Sequence, residues 1–358
     1  MNTATVLLLA ALGTVSGPSA RAEEPAIKTI TGGERCRIRS FMSWKDDDHL
    51  LTAAMHGSVC QWDLISGDVR VLTMPNVIDD FKPTARPGWI VGVNHQVAES
   101  VHPDSRRQVQ FYFGQRWIRR FALTKDGSRV YLGTNEFDTF FDSTTNKYNP
   151  VKARHVILTA PSDARTAARE FFIADSTITC LAVVDGSRPV LAGLSAGRLM
   201  VIGPGGARSV RDVPVGAKSI INCVAAPRGK SVAVGTPSGF AVLSLVEDRW
   251  RKSFEVKTSS PDARRDSMAI SPDGAKLAIG GSDGVLRLFS MRDGKRLWEK
   301  ETSAPGPVAA VGFFARGARV GATDANDSLR VFDAEQGRPV LILTHERPRP
   351  SGRSSFDM

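Results

Sequence analysis

Ser271-Pro272-Asp273-Gly274-Ala275-Lys276-Leu277-Ala278-Ile279-Gly280-Gly281-Ser282-Asp283-Gly284-Val285-Leu286-Arg287-Leu288-Phe289 decides the architecture. Pro-Asp-Gly and Ser-Asp-Gly are turn sequences, because glycine reaches positive φ without strain and aspartate bonds its own backbone two residues on. Between them lie apolar runs of four or five residues, the length of short buried strands. Arg292-Asp293-Gly294-Lys295 turns the chain again before Trp298. The stretch therefore reads as four antiparallel strands, with Ser267 to Ile270 first.

The same frame recurs along the chain. Asp185-Gly186 precedes a strand, Gly197 sits in the next turn, and Leu199 to Ile202 follow; Arg228-Gly229, Gly239 and Ala241 to Leu243 repeat the order. Arg316-Gly317, Asn326-Asp327 and Leu329 to Phe332 do so again, as do Asp126-Gly127, Tyr131-Leu132 and Phe137 to Phe141. Near the start, Asp47-Asp48 leads through Leu50-Leu51 and His56-Gly57 to Val59 through Trp62. A further unit runs from Trp89-Ile90-Val91 to Val109 through Phe113, with a long hairpin expected over Gln96 to Arg107. From Gly197 to Gly239, Gly284 and Asp327 the steps are 42, 45 and 43 residues. A period of about 40–45 residues is that of β-propeller blades. The expected fold is all-β: one propeller of seven four-stranded antiparallel blades over residues 23–346. Trp62, Phe141, Phe289 and Phe332 are expected between blades, with Gly57, Gly197, Gly239, Asp283 and Gly284 in the turns.

Ala26 to Gly33 with Trp62-Asp63-Leu64, and the 271–289 stretch, resemble WD repeats. The resemblance implies a propeller that serves as a protein-binding scaffold. Only one Trp-Asp pair is present and the Gly-His pair is missing, so the family's Asp–His–Ser–Trp network is mostly absent and blade packing must rest on apolar contacts. Two segments compete for the outer edge of the last blade. Pro339 to Leu343 is expected to take it, with Ala26 to Ile30 alongside or loose.

An apolar run, Val6 to Leu12, followed by Ala20-Arg21-Ala22, has the form of a cleaved export leader over residues 1–22, although no Lys or Arg precedes the run. A bacterial periplasmic or secreted location is the expectation, with no transmembrane segment after cleavage, and residues 347–358 read as a disordered basic tail. The formal net charge of +10 points to an anionic or acidic partner, and for an exported chain not to nucleic acid. Four cysteines invite disulfides. Placing Cys36 and Cys60 on the first and third strands of one blade would separate them by about 9.6 Å, and Cys180 and Cys223 sit in neighbouring blades, so buried free thiols are expected.

Three patterns resemble catalytic motifs. Gly193-Leu194-Ser195-Ala196-Gly197 matches the hydrolase G-x-S-x-G, but falls on a strand-to-strand turn and not the strand-to-helix turn that motif needs. Asp46-Asp47-Asp48-His49 has metal-ligand chemistry but occupies a turn position, with no second ligand cluster nearby in sequence. Asp293 to Trp298 resembles the repeat of quinone-dependent propellers, yet its Trp occurs in one blade only. No cofactor and no catalytic residue is assigned. The densest basic region is Arg106, Arg107, Arg116, Arg119 and Arg120, interleaved with Phe111, Tyr112, Phe113 and Trp117; Arg264 and Arg265 form a smaller one. These are the candidate contacts to an unidentified protein partner of a monomeric, non-enzymatic scaffold. Two alternatives are a channel-based enzyme or ligand binder, lactonase-like or quinoprotein-like, and an envelope factor that binds anionic polymer or lipid by charge.

Overall fold

The computed structural model describes residues 27–346 except 34, 45, 54–57, 73–79, 85, 95–96, 104, 106, 112–116, 143–146, 163–166, 185–188, 207–209, 214, 216–217, 227–229, 248, 258–267 and 303, with the main chain alone at 136–142, 147–153 and 210–213. The expected leader (1–22) and tail (347–358) lie outside the described residues.

Six four-stranded antiparallel sheets and one five-stranded sheet follow one another along the chain. They are blades 1 to 7, at residues 40–72, 80–110, 117–174, 178–213, 222–257, 268–301 and 311–345. The first strand of blade 1 touches those of blades 2 and 7, and the first strands of blades 3 to 7 touch in succession. First strands therefore ring the axis and fourth strands face outward, as in a β-propeller.

Alternation at period two explains the stacking, since successive side chains of a strand point to opposite faces. In blade 6, Leu286 and Leu288 join a cluster with Val320 and Phe332 of blade 7. Leu277, Ile279 and Phe289 of the same blade join Phe240 and Val242 of blade 5. Seven such clusters occur, one at each blade-to-blade interface. The aromatic anchors sit in them: Phe289 meets Phe240 at 4.9 Å between ring centres, and Phe332 meets Trp298 at 6.0 Å. Trp62 is fully buried between blades 1 and 7, and its Nε1 donates to Thr52 Oγ1 at 2.8 Å.

The turns carry the expected chemistry. Gly197, Gly239, Gly274 and Gly284 have φ of +80°, +143°, +77° and +78°. Asp273 Oδ1 accepts the N–H of Ala275 at 2.9 Å. Arg287 bonds Asp283 and holds its carboxyl below the usual range. Gly57 lies outside the described residues.

Blades 2 and 3 differ from expectation. The long hairpin expected over Gln96 to Arg107 instead contains a strand, Ala98–His102, and Arg107–Gln110 is the outer strand. In blade 3, Arg129–Asp142 and Lys147–Pro161 pair along their length, from Arg129↔Pro161 to Asp142↔Lys147. Their partners on either side stop near Asn135 and His155. Residues 136–142 and 147–153 are thus a two-stranded arm projecting past the blade. Phe141 was expected on a third strand between blades; it lies at the far end of the second strand, on this arm. Between 134 and 142 there is no Gly or Pro to break the strand, and Thr134, Phe137, Thr139, Phe140 and Phe141 favour extended backbone.

The ring closes through blade 7. Pro339–His345 pairs antiparallel with Leu329–Asp333, and Lys28–Gly32 adds outside it as a parallel fifth strand, in register from Lys28↔Leu341 to Gly32↔His345. The following segment crosses to blade 1: Ile38 N–H donates to Asp327 O at 2.8 Å, and Arg39 pairs with Asp327 at 2.9 Å. Lys28 Nζ reaches the carbonyls of Leu64 and Ile65 at 2.8 and 2.7 Å.

The expectation of free thiols is overturned. Cys36 bonds Cys60, and Cys180 bonds Cys223, across Cα separations of 5.7 and 5.6 Å. The residue in line with Cys60 on the first strand is Phe41, each of them pairing with Thr52. Cys36 precedes that strand in the crossing segment, which folds back over Cys60. Cys180 and Cys223 lie on the first strands of blades 4 and 5, which converge at the axis. Each bridge sits against a glycine. A Cβ on Gly32 would lie 2.8 Å from both Cys36 Cβ and Trp62 Cη2, and one on Gly193 would collide with Cys180 Sγ and lie 2.7 Å from Ile220 Cγ2.

Three outcomes are expected. Phe289→Ala destabilises by about 3–5 kcal/mol, because it empties the interface of blades 5 and 6; an unshifted denaturant midpoint would contradict the packing. Thiol titration of the unreduced, denatured chain finds no free cysteine, and reduction costs about 2–4 kcal/mol per bridge. Gly193→Ala lowers the melting temperature more than Gly33→Ala, where an added Cβ meets open space.

Candidate functional site

The first strand of blade 3, Trp117–Leu123, carries two arginines in succession. Adjacent residues of a regular strand point to opposite faces. Here Ile118 pairs with Thr134 and Arg120 with Gly133, so Arg119 is an extra, bulged residue. The first strand of blade 4 is bulged at the same level, with Ile178 opposite Leu194, Cys180 opposite Gly193, and Thr179 between. Bulges re-aim side chains. Arg119, Arg120 and Thr179 consequently all line one cavity of about 580 Å³ between blades 3, 4 and 5. Asn135 and His155 of blade 3, Thr177 and Ile178 of blade 4, and the 219–221 segment leading into blade 5 also line it.

Several wall residues are held by contacts within the fold. Arg120 donates from Nε to Thr179 O and from Nη1 to Arg119 O, tying the two bulges together. Thr179 Oγ1 donates to Gly193 O at 3.0 Å, beside the Cys180–Cys223 bridge. Arg119 lies over the Trp117 ring, 5.9 Å from its centre, and Trp117 is 47% exposed. His155 Nδ1 and Asn135 Oδ1 are 2.8 Å apart. Burial lowers the His155 pKa below its ordinary value, against the opposing pull of Asp175. None of the ten lining residues is acidic. Asp175 is engaged by Arg198. The arrangement presents positive charge, hydroxyl and amide groups, and an apolar side made by Ile178, Ile220 and Ile221. Such chemistry holds an oxyanion.

The cavity opens on one face of the disc. It lies at the starting ends of the first strands, beside the turn Ser195–Gly197, whose Ser195 N–H donates to Thr177 O at 2.9 Å. The turns bearing Asp126 and Asp273 are at the opposite ends of the strands, and Asp185 lies outside the described residues. The blade 3 arm projects from the cavity's own face.

The basic region read from sequence is divided by the fold. Arg119 and Arg120 are brought together on the inner strand, while Arg107 is on the outer strand of blade 2. Arg106, Arg116, Arg264 and Arg265 lie outside the described residues. Phe111 is a core residue between blades 2 and 3. Sequence reasoning missed Asn135, His155, Thr177 and Ser219, which are far apart along the chain. Ser195 is in a strand-to-strand turn with Gly197 at positive φ. Asp46 to His49 opens the second strand of blade 1 rather than forming a turn, and His49 Nδ1, 2.7 Å from Asp46, draws that carboxyl below its ordinary range. Among the described residues no group of three or more His, Cys, Asp and Glu side chains converges as a metal site requires. Nor, among them, is any helix long and apolar enough to cross a membrane.

No protein-family model matches the chain. WD repeat-containing protein 1 of Bos taurus is 33% identical over 119 residues, which is 30% of this chain and 18% of that protein. The proteins of the same name from Gallus gallus and Mus musculus are 30% identical over 115 residues and 32% over 119, with the same coverage. The matched stretch thus spans less than a fifth of the length of these relatives. A ring of seven β-sheet blades, with sequence likeness to WD-repeat proteins over 30% of the chain, supports a WD40-like β-propeller.

Proposed function

We propose that this protein is an exported, monomeric, non-enzymatic propeller that holds an acidic protein partner on the face where the Arg119–Arg120 cavity opens. The observation that carries the reading is that cavity: two guanidinium groups brought to one place by matched bulges, with no carboxylate among the described lining residues. The likeness to proteins named for WD repeats supports a binding role over a catalytic one. Two disulfides support export, since such bridges persist in oxidising compartments and are rare in the cytosol. The apolar leader at Val6 to Leu12 agrees with a periplasmic or secreted location.

Rigidity suits this role. Every blade is locked to two neighbours by an apolar interface, so the face needs little ordering when a partner docks. The partner-facing charge is carried by first strands, whose positions the ring determines.

The test is affinity capture from envelope extract with residues 23–358 as bait, washed at rising salt. A protein held by the wild-type chain, released as salt shortens the range of charge attraction, and recovered about tenfold less by Arg119→Glu is the expected result. Arg107→Glu, on the outer strand, should retain it. Equal recovery by Arg119→Glu and wild type would sink the proposal.

A further inference from the structure

We infer that the cavity between blades 3, 4 and 5 is a carboxylate-binding site, with Arg119 as the contacting residue and Arg120 as a positioning residue that supplies fixed charge behind it. This rests on the reading of that face as the docking face and names the chemistry it recognises. Arg120 is committed to the carbonyls of Thr179 and Arg119, so its role is to hold two bulged strands together and keep a positive charge at the cavity wall. Arg119 is the extra residue of its bulge, and its guanidinium lies over Trp117. The planar guanidinium carries paired N–H donors whose spacing matches a planar carboxylate.

Three observations favour a carboxylate over a phosphate. Phosphate sites are commonly built from convergent backbone N–H groups at helix N-termini or nests. Here the backbone N–H groups of Ile220 and Ile221 are spent on Leu194 O and Gly235 O, at 3.4 and 2.9 Å. His155, which would supply a third positive charge, has its pKa lowered by burial, and its Nδ1 is engaged with Asn135 Oδ1. Three of the ten described lining residues are isoleucines, Ile178 and Ile220 being buried with Ile221 beside them, and Trp117 is exposed on the neighbouring strand. The ligand is therefore a carboxylate carried on an apolar body. A cavity of about 580 Å³ has room for a glutamate side chain with an adjoining aliphatic residue, or for a free organic acid of similar size.

Titration calorimetry on the disulfide-intact chain tests this and separates the two sources. The probes are an array of octapeptides in pairs identical except for a central Leu-Glu or Leu-Gln, together with glutarate and inorganic phosphate. Glu peptides binding about tenfold tighter than their Gln partners, with the difference abolished by Arg119→Ala and partly kept by Arg119→Lys, support an acidic peptide as occupant. Glutarate binding that depends on Arg119, with both peptide types inert, supports a free organic acid at the same site. Equal affinity of Glu and Gln peptides, phosphate binding tighter than either carboxylate probe, or no binding of any probe overturns the inference. Melting of the Arg119 variants at the wild-type temperature confirms that they fold; if Arg119→Ala does not, the Arg119→Lys affinities decide. The two proposals fail separately. A partner captured equally by wild type and Arg119→Glu removes the docking face but leaves the titrations standing. Capture that depends on Arg119, with no probe bound, removes only the carboxylate assignment.

Discussion

A four-stranded blade has two apolar faces and no means of covering either by itself. Everything else in this protein follows from burying both against neighbours. Because side chains alternate across a strand, Leu286 and Leu288 of blade 6 face blade 7 while Phe289 faces blade 5. Seven interfaces built this way make a ring in which each blade depends on two others. The last interface, between blades 7 and 1, is assembled from both ends of the chain. It carries the extra parts: a fifth strand, the Arg39–Asp327 pair, the Trp62–Thr52 bond and the Cys36–Cys60 bridge.

The disulfides and their glycines form one device at two interfaces. Bringing sulfur atoms together where strands already crowd requires that a side chain be absent nearby. Gly32 and Gly193 supply that space. Gly193 also belongs to the pattern that resembles a hydrolase elbow. Its physical role here is to admit Cys180 and Ile220 against the second strand of blade 4, and Gly197 serves the turn through its positive φ. Two covalent links and seven apolar interfaces hold the blades.

The candidate site depends on departures from regularity within this regular frame. Without the bulge at Arg119, the two arginines would point to opposite faces of blade 3. Without the bulge at Thr179, its carbonyl would not be turned to accept from Arg120 Nε. The Cys180–Cys223 bridge lies directly beneath, so the site is built where blades 4 and 5 are most firmly joined.

The sequence by itself determined the repeat of blades, though not every strand of blades 2 and 3. Turn residues with special backbone needs, such as Asp273-Gly274 and Asp283-Gly284, and apolar alternation between them are local properties, and their period of 42 to 45 residues is visible without coordinates. It also supplied the outer strand at Pro339 to Leu343 and the buried aromatics Trp62, Phe289 and Phe332. Only the tertiary structure decided the cysteine pairs, because they depend on how a crossing segment folds back at Cys36 and how closely first strands converge at Cys180 and Cys223. It also decided the extent of the blade 3 strands, since nothing local stops them at 135. Of the basic region, the sequence showed the charges, and the ring sorted them: Arg119 and Arg120 to the axis, Arg107 to the rim. Asn135, His155, Thr177 and Ser219 join those arginines through strand pairing and blade contacts between residues up to a hundred positions apart, a relation that no local pattern of residues encodes.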